Sequence, residues 1–251
     1  MSGHSKWANI KHQKGVSDAK RGQMFTKLTR EIIVAVRQGG SNPEGNSRLR
    51  LAIQKARENR MPSENIERAI KRGSGELEGA TLVEMILEGY GPGGVAILVQ
   101  AQTDNHNRTV QDVRNIFSRG GGNLAASGSV AWLFDSKGVI TLKADGLDID
   151  EVSLYAIDAG ADDIRVEGSF VEIYTKPEEL EKVREALGQK NLNITSAELS
   201  MVPKTMVELD EKSALQALKL LDKLEELDEV QHVFSNVDFD ESVLEKYQVP
   251  A

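Results

Sequence analysis

The order of periodic segments between residues 138 and 201 constrains the fold more than any other feature of the chain. Alternating apolar runs predict strands over 138–143, 163–167, 170–175 and 194–201, and a 3.6-residue period predicts helices over 150–159 and 177–189. The order β-α-β-β-α-β is the split unit of ferredoxin-like folds, complete within roughly 65 residues. Only a helix at 212–227 and a strand at 230–239 follow, and two elements cannot bury a core by themselves. Residues 76–134 read as strands at 82–89, 95–101 and 129–134 with a helix at 108–119, an inventory short of one helix and one strand. The expected layout is a discontinuous α+β domain, 76–134 plus 205–239, with a ferredoxin-like domain, 135–204, inserted into it. Residues 240–251 read as a tail.

The first 75 residues differ in both period and charge. They carry 16 Lys and Arg against 6 Asp and Glu, a balance of +10, whereas the remainder carries 15 against 33, a balance of -18. The formal net charge of -8 therefore conceals a basic module joined to an acidic body, the pattern of a polyanion-binding segment on a carrier. The competing reading is that the basic part docks on the acidic part of the same molecule. Three short helices are expected here. The first, from Ser17 or Asp18 to Gly39-Gly40, turns Met24, Phe25, Leu28, Ile32, Ala35 and Val36 to one side. At about 100° per residue, Lys20, Lys27, Arg30 and Arg37 form a separate basic stripe within an arc of roughly 100°. The second, after Pro43, carries Leu49, Ala52, Ile53 and Ala56 inward and Arg48, Arg50, Lys55 and Arg57 outward. The third starts near Pro62, with Glu64 and Glu67 early and Lys71-Arg72 late, as the helix macrodipole favours.

Ahead of the helices, residues 2–16 have no amphipathic period and read as an extended arm. Lys6, Lys11 and Lys14 are suited to phosphates, and Trp7 to stacking on an unpaired base. Equally, Trp7 can pin the arm to the helical core. Candidate nucleic-acid contacts are thus Lys6, Trp7, Lys11, Lys14, Lys20, Lys27, Arg30, Arg37, Arg48, Arg50, Lys55 and Arg57. A polar run, Thr103 to Thr109, leads into the helix bearing Arg108, Arg114 and Arg119, a secondary place for an anion. Asp104 or Asn107 is expected to cap that helix.

Other chemistry finds little support. With no cysteine there is no disulfide, thiolate nucleophile or thiolate metal site. The four histidines lack metal-ligand spacing, so no metal and no cofactor are expected. The glycine run from Gly89 to Gly94 has no following Lys-Ser or Lys-Thr and reads as a hairpin turn. Asp145, Asp148 and Asp150 lack the glycine and terminal glutamate of a calcium loop. No nucleophile, base and orienter fall into a defensible order, and the chain is expected not to be an enzyme. The apolar runs are far shorter than a membrane span, and no signal core opens the chain; a cytoplasmic protein with no membrane partner is the expectation.

Several motifs together resemble the YebC/PmpR family: Ser2-Gly3-His4-Ser5-Lys6-Trp7, Arg48-Leu49-Arg50, Met61-Pro62, Asn65 to Ile70, Glu88 to Gly94, Thr103-Asp104-Asn105 with Arg108-Thr109-Val110, and Gly128-Ser129-Val130. The chain departs from the pattern at Ala125, where glycine is expected, and at Arg60, which adds charge. The resemblance implies three domains, a helical N-terminal one and two α+β ones; together with the period pattern, the expected fold is an α+β protein with a three-helix module and two ferredoxin-like domains, the third inserted into the second. It also implies one of two activities. Bacterial members are designated transcriptional regulators that bind DNA, while relatives, including a mitochondrial translational activator, act on the ribosome and help it through proline-rich sequences. Three function classes therefore stand: a DNA-binding transcriptional regulator, expected first; a translation factor binding ribosomal or transfer RNA; and an enzyme acting on a phosphorylated substrate.

Overall fold

A computed structural model describes residues 18–248. It divides into two compact units: residues 18–131 with 209–233 and 241–248, and residues 132–208 with 234–240.

The first unit opens with three helices, α1 (Asp18–Gly39), α2 (Ser47–Glu58) and α3 (Ser63–Ser74). Their shared core holds Leu28, Ile32, Ala35 and Val36 of α1, Leu49, Ala52, Ile53 and Ala56 of α2, and Ile66 and Ala69 of α3. α1 stops at the Gly39-Gly40 pair, where Gly40 takes a φ of 86° and donates its N–H to Val36 O at 2.8 Å. The next helix is held to this end by buried Asn46. Its Oδ1 accepts the Leu49 N–H at 3.0 Å, and its Nδ2 donates to Ala35 O and Gly40 O, each at 2.8 Å. A side chain at Gly39 would collide with Asn46, and one at Gly73 would lie 2.7 Å from Val36 Cβ. Gly73 is thus a packing residue where α3 crosses α1, while Gly75, with a φ of 85°, caps α3.

The sheet of this unit has the order β3 (Asn123–Leu124), β1 (Val83–Tyr90), β2 (Ala96–Thr103), β9 (Val230–Ser235). Strands β1 (Val83–Tyr90) and β2 (Ala96–Thr103) form the expected hairpin, antiparallel from Val83↔Thr103 to Tyr90↔Ala96. β9 (Val230–Ser235) lies beside β2, far from it in sequence. α4 (His106–Arg119) covers the face bearing Gly89, where an added Cβ would lie 2.6 Å from the Phe117 ring. α7 (Glu211–Glu225) buries Leu218, Leu220, Leu221 and Leu224, with Leu220 close against Gly120 at the end of α4.

Three expectations change here. β3 (Asn123–Leu124), only two residues long, pairs with the end of β1 and is too short to leave a period in the sequence. Residues 129–133 are not a strand but a turn and a 3-10 segment, because the N–H groups of Val130 and Ala131 donate to the Glu88 carboxylate instead of to a strand partner. The residues read as a tail form a helix, α8 (Glu241–Gln248), which buries Val243 and Leu244. Tyr247 Oη donates to Asp222 Oδ2 at 2.5 Å, and Lys246 Nζ pairs with Glu211 Oε2 at 2.7 Å, tying α8 to α7.

The second unit is the β-α-β-β-α-β arrangement: β4 (Phe134–Lys143), α5 (Ile149–Ala159), β5 (Asp163–Glu167), β6 (Phe170–Thr175), α6 (Leu180–Gln189) and β7 (Ile194–Pro203). The strand order is β5-β6-β4-β7, antiparallel at every junction. Leu180, Val183 and Leu187 of α6 and Val152 and Ala156 of α5 are buried. Gly138 permits that packing, since a Cβ would lie 2.9 Å from Leu180 Cβ. Where the chain enters and leaves the unit, β8 (Val207–Glu208) and β10 (Val237–Asp238) pair in parallel. Among the described residues no helix is long and apolar enough to cross a membrane.

Candidate nucleic-acid interface

The cations expected on one basic stripe of α1 have different surroundings. Lys20 is exposed and without a partner among the described residues. Lys27 Nζ donates to Glu225 O at 2.7 Å, at the carboxyl end of α7, where helix carbonyls lack an internal partner and the macrodipole attracts a cation. Gln23 Nε2 reaches the adjacent Glu226 O at 2.5 Å. Arg30 Nη1 donates to Gln102 O at 2.7 Å, with its other terminal nitrogen 3.6 Å from Glu229 Oε1. Arg37 is exposed, its Nη2 3.4 Å from Ala80 O. Over Lys27 and Arg30 the stripe is a docking edge, which the sequence raised as the competing reading of its charge. Lys6, Trp7, Lys11 and Lys14 lie outside the described residues.

Arg48, read from the sequence as facing outward, instead joins the helices to the sheet. Its Nε donates to Glu31 Oε1 at 2.8 Å, and its Nη1 to Glu84 Oε2 at 2.9 Å, so one guanidinium bridges α1 and β1. Gln38 Nε2 donates to Glu84 Oε2 at 2.6 Å, and Gln102 Nε2 lies 3.2 Å from Glu84 Oε1, completing the network. Partial burial opposes the Arg48 charge, but hydrogen bonds and attraction from Glu84 and Glu31 outweigh it and hold the group protonated well above its ordinary pKa. The hydrogen bonds from Arg48, stronger in effect than the partial burial of Glu84, hold that carboxyl below its usual range. No residue of this network is near its partners in sequence, except Glu31 and Gln38 on one helix.

The remaining α2 cations face water to different degrees. Arg50 and Arg57, seven residues apart and so nearly aligned on the helix, are exposed; Lys55 is half-buried. Arg50 Nη1 lies 3.3 Å from Pro43 O, and Arg57 has no partner among the described residues. Arg60, just past the helix, is exposed in a left-handed conformation with a φ of 58°. Such a φ is uncommon for a side chain of this kind. Arg60 adds a third exposed cation, just past the end of the helix that carries Arg50 and Arg57.

On α4, the expected cap is corrected: the N-cap is Asn105, whose Oδ1 accepts the Arg108 N–H at 3.1 Å, rather than Asp104 or Asn107. Asp104 instead pairs with Arg108 at 2.8 Å, and Glu229 lies 3.1 Å from the same nitrogen. Arg108 is thereby committed within the molecule, while Arg114 and Arg119 are exposed and unpartnered among the described residues.

One buried carboxylate escaped the sequence reading. Glu88 is 4% exposed, yet its oxygens accept N–H groups from Gly128 at 2.6 Å, Val130 at 2.7 Å and Ala131 at 2.8 Å. Burial pushes its pKa up, but these backbone donors, with Ser129, outweigh it and hold the carboxyl below its usual range. Tyr90 Oη donates to Ser129 O at 3.1 Å. Two separate sequence motifs, Glu88 to Gly94 and Gly128-Ser129-Val130, thus form one latch. Ala125, where glycine was expected, fits beside it, its N–H bonded to Glu88 O at 2.8 Å. Among the described residues no group of three or more His, Asp or Glu converges as a metal site.

The architecture defines an α+β protein in which a basic helical module precedes two sheet-containing domains. The chain belongs to the TACO1/YebC family: residues 5–76 match the model of the TACO1/YebC protein N-terminal domain, and residues 82–237 that of the TACO1/YebC second and third domain. A protein of Dehalococcoides mccartyi named "probable transcriptional regulatory protein" is 64% identical over 251 residues, covering 100% of both chains. One of the same name from Moorella thermoacetica is 54% identical, covering 99% of this chain and 100% of the relative. The crystal structure of a conserved hypothetical protein from Aquifex aeolicus superimposes with a TM-score of 0.84 at 51% identity, covering 92% of this chain and 96% of that one.

Proposed function

We propose that this protein is a non-enzymatic, nucleic-acid-binding regulator of gene expression, acting on duplex DNA as a transcriptional regulator through the outer face of its N-terminal helices. The observation that carries the reading is the exposure of Arg50, Arg57 and Arg60 on or just past a helix whose apolar side is buried, while Lys27, Arg30 and Arg48 are bonded inward. Exposed Lys20 and the sequence candidates Lys6, Trp7, Lys11 and Lys14, which lie outside the described residues, are assigned to the same ligand, and exposed Arg114 and Arg119 to a second contact. Lys27, Arg30, Arg48 and Arg108 orient the module rather than touch phosphate. The names carried by the relatives support a role in transcription.

Phosphate contacts release counterions, so about five such cations give a slope near -4 to -5 for log K against log salt. Duplex binding with that slope supports the proposal, and a slope near zero contradicts it. Sedimentation of a cell lysate with and without DNase separates the two settings of such a protein. A heavy DNase-sensitive fraction fits transcription; ribosome-associated protein that survives DNase replaces it with translation.

A further inference from the structure

A cleft of about 420 Å³ opens between α1, α3 and the segment that leads into β1. It lies away from the Arg50 and Arg57 edge, on the side of α1 that carries Arg30. Its volume falls within the roughly 300–1,000 Å³ of small-ligand sites. Phe25, Ile33 and Leu82 supply an apolar wall, and Arg30 and Arg72 supply two guanidinium groups. A side chain at Gly79 would touch the Arg72 stem, its Cβ 3.8 Å from Cγ and Cδ, and the Arg72 guanidinium is exposed and without an acceptor among the described residues. Arg30 is held in place by Gln102 O. The acid in the lining, Asp104, has its charge answered by Arg108 at 2.8 Å.

Two threonines sharpen the chemistry. Thr26 Oγ1 donates to Gly22 O at 3.1 Å, and Thr29 Oγ1 donates to Phe25 O at 2.7 Å. With their protons turned back onto the helix, both hydroxyls present lone pairs to a ligand. A ligand that fits must combine a planar ring for the apolar wall, N–H or O–H donors for the threonines and an anion for Arg72, with Arg30 committed to Gln102 O and Glu229. A nucleotide carries all three.

We propose that this cleft seats a single nucleotide by its base and 5′-phosphate, with Arg72 as the principal phosphate ligand and Thr26 as an acceptor from the base or sugar. The seat deepens the nucleic-acid reading above and rests on it. The same chemistry is offered by an unpaired nucleotide within a strand and by a free mononucleotide; a paired base in a duplex cannot enter without leaving its stack.

The test uses the full chain, a fluorescein-labelled ten-nucleotide single-stranded RNA, a duplex DNA of the same length and AMP. The variants are Arg72→Gln, Thr26→Val and, as a charge-matched control beside the cleft, Lys71→Gln. Arg72→Gln is expected to weaken single-strand binding about tenfold and Thr26→Val about threefold, with duplex affinity changed less than about twofold. Lys71→Gln is expected to change each ligand less than about twofold. AMP binding that Arg72→Gln weakens assigns the seat to free nucleotides; strand binding with the same sensitivity and no AMP binding assigns it to nucleotides within a strand. If the wild type binds duplex with strong salt dependence while Arg72→Gln and Lys71→Gln behave alike on every ligand, the seat is overturned and the regulator reading stands. If the wild type binds none of the three, both fall.

Discussion

The α1 stripe and the α2 edge are built from the same residue types and differ in what faces them. Lys27 and Arg30 meet carbonyls and a carboxylate from residues 102, 225 and 229, whereas Arg50 and Arg57 are exposed to solvent. A helical wheel finds both stripes but cannot tell them apart, because the acceptors come from segments remote in sequence. A surplus of positive charge therefore divides into a part that docks the module and a part exposed to solvent.

The largest expected effect tests the docking part. Replacing Arg48 with Met leaves Glu31 and Glu84 facing each other without a cation, and urea denaturation should show a loss of about 2 kcal/mol, discounted for the partial exposure of the site. An unchanged midpoint would mean that the network is ornamental and that Arg48 is open to phosphate.

The Glu88 latch sharpens the comparison from the acidic side. Glu88→Gln brings an amide N–H₂ among backbone N–H donors and should cost about 2 kcal/mol at neutral pH. Because the folded-state pKa is depressed, the stabilisation is present above the unfolded value near 4.5 and is lost as pH falls through the folded value. The difference between wild type and variant should therefore shrink below pH about 4.5. A gap that stays constant down to pH 3 would show that the charge of Glu88 contributes nothing.

Asn46 probes the geometry that presents the α2 edge. Asn46→Ala removes a cap and two bonds to the end of α1, for an expected loss of about 1–2 kcal/mol measured by thermal unfolding. If stability were unchanged, α2 would owe its placement to the apolar core alone.

Much of the fold was legible because local periods report local faces. Leu49, Ala52, Ile53 and Ala56 spell out the buried side of α2, and the β-α-β-β-α-β order spells out the second unit. The errors have a common cause. Residues 130–134 form a short apolar run like that of a strand, but the donors of Val130 and Ala131 are claimed by Glu88, about forty positions away. Helix α8 is short and its anchor, Asp222, belongs to another element. The Asn105 cap lost out in the reading to Asp104, whose carboxylate is drawn off by Arg108. At the interface, residue type and face were readable, while Arg48 and Arg30 required knowledge of Glu84, Gln102 and Glu229.

The central claim is that the exposed α2 cations contact nucleic acid and the inward α1 cations do not. It is tested most directly by the salt dependence of duplex binding for the wild type, Arg50→Gln/Arg57→Gln and Lys27→Gln. Losing two phosphate contacts should make the slope of the double variant shallower by about two, with that of Lys27→Gln unchanged. An unchanged slope in the double variant, or a shallower one in Lys27→Gln alone, would contradict the assignment of the two faces.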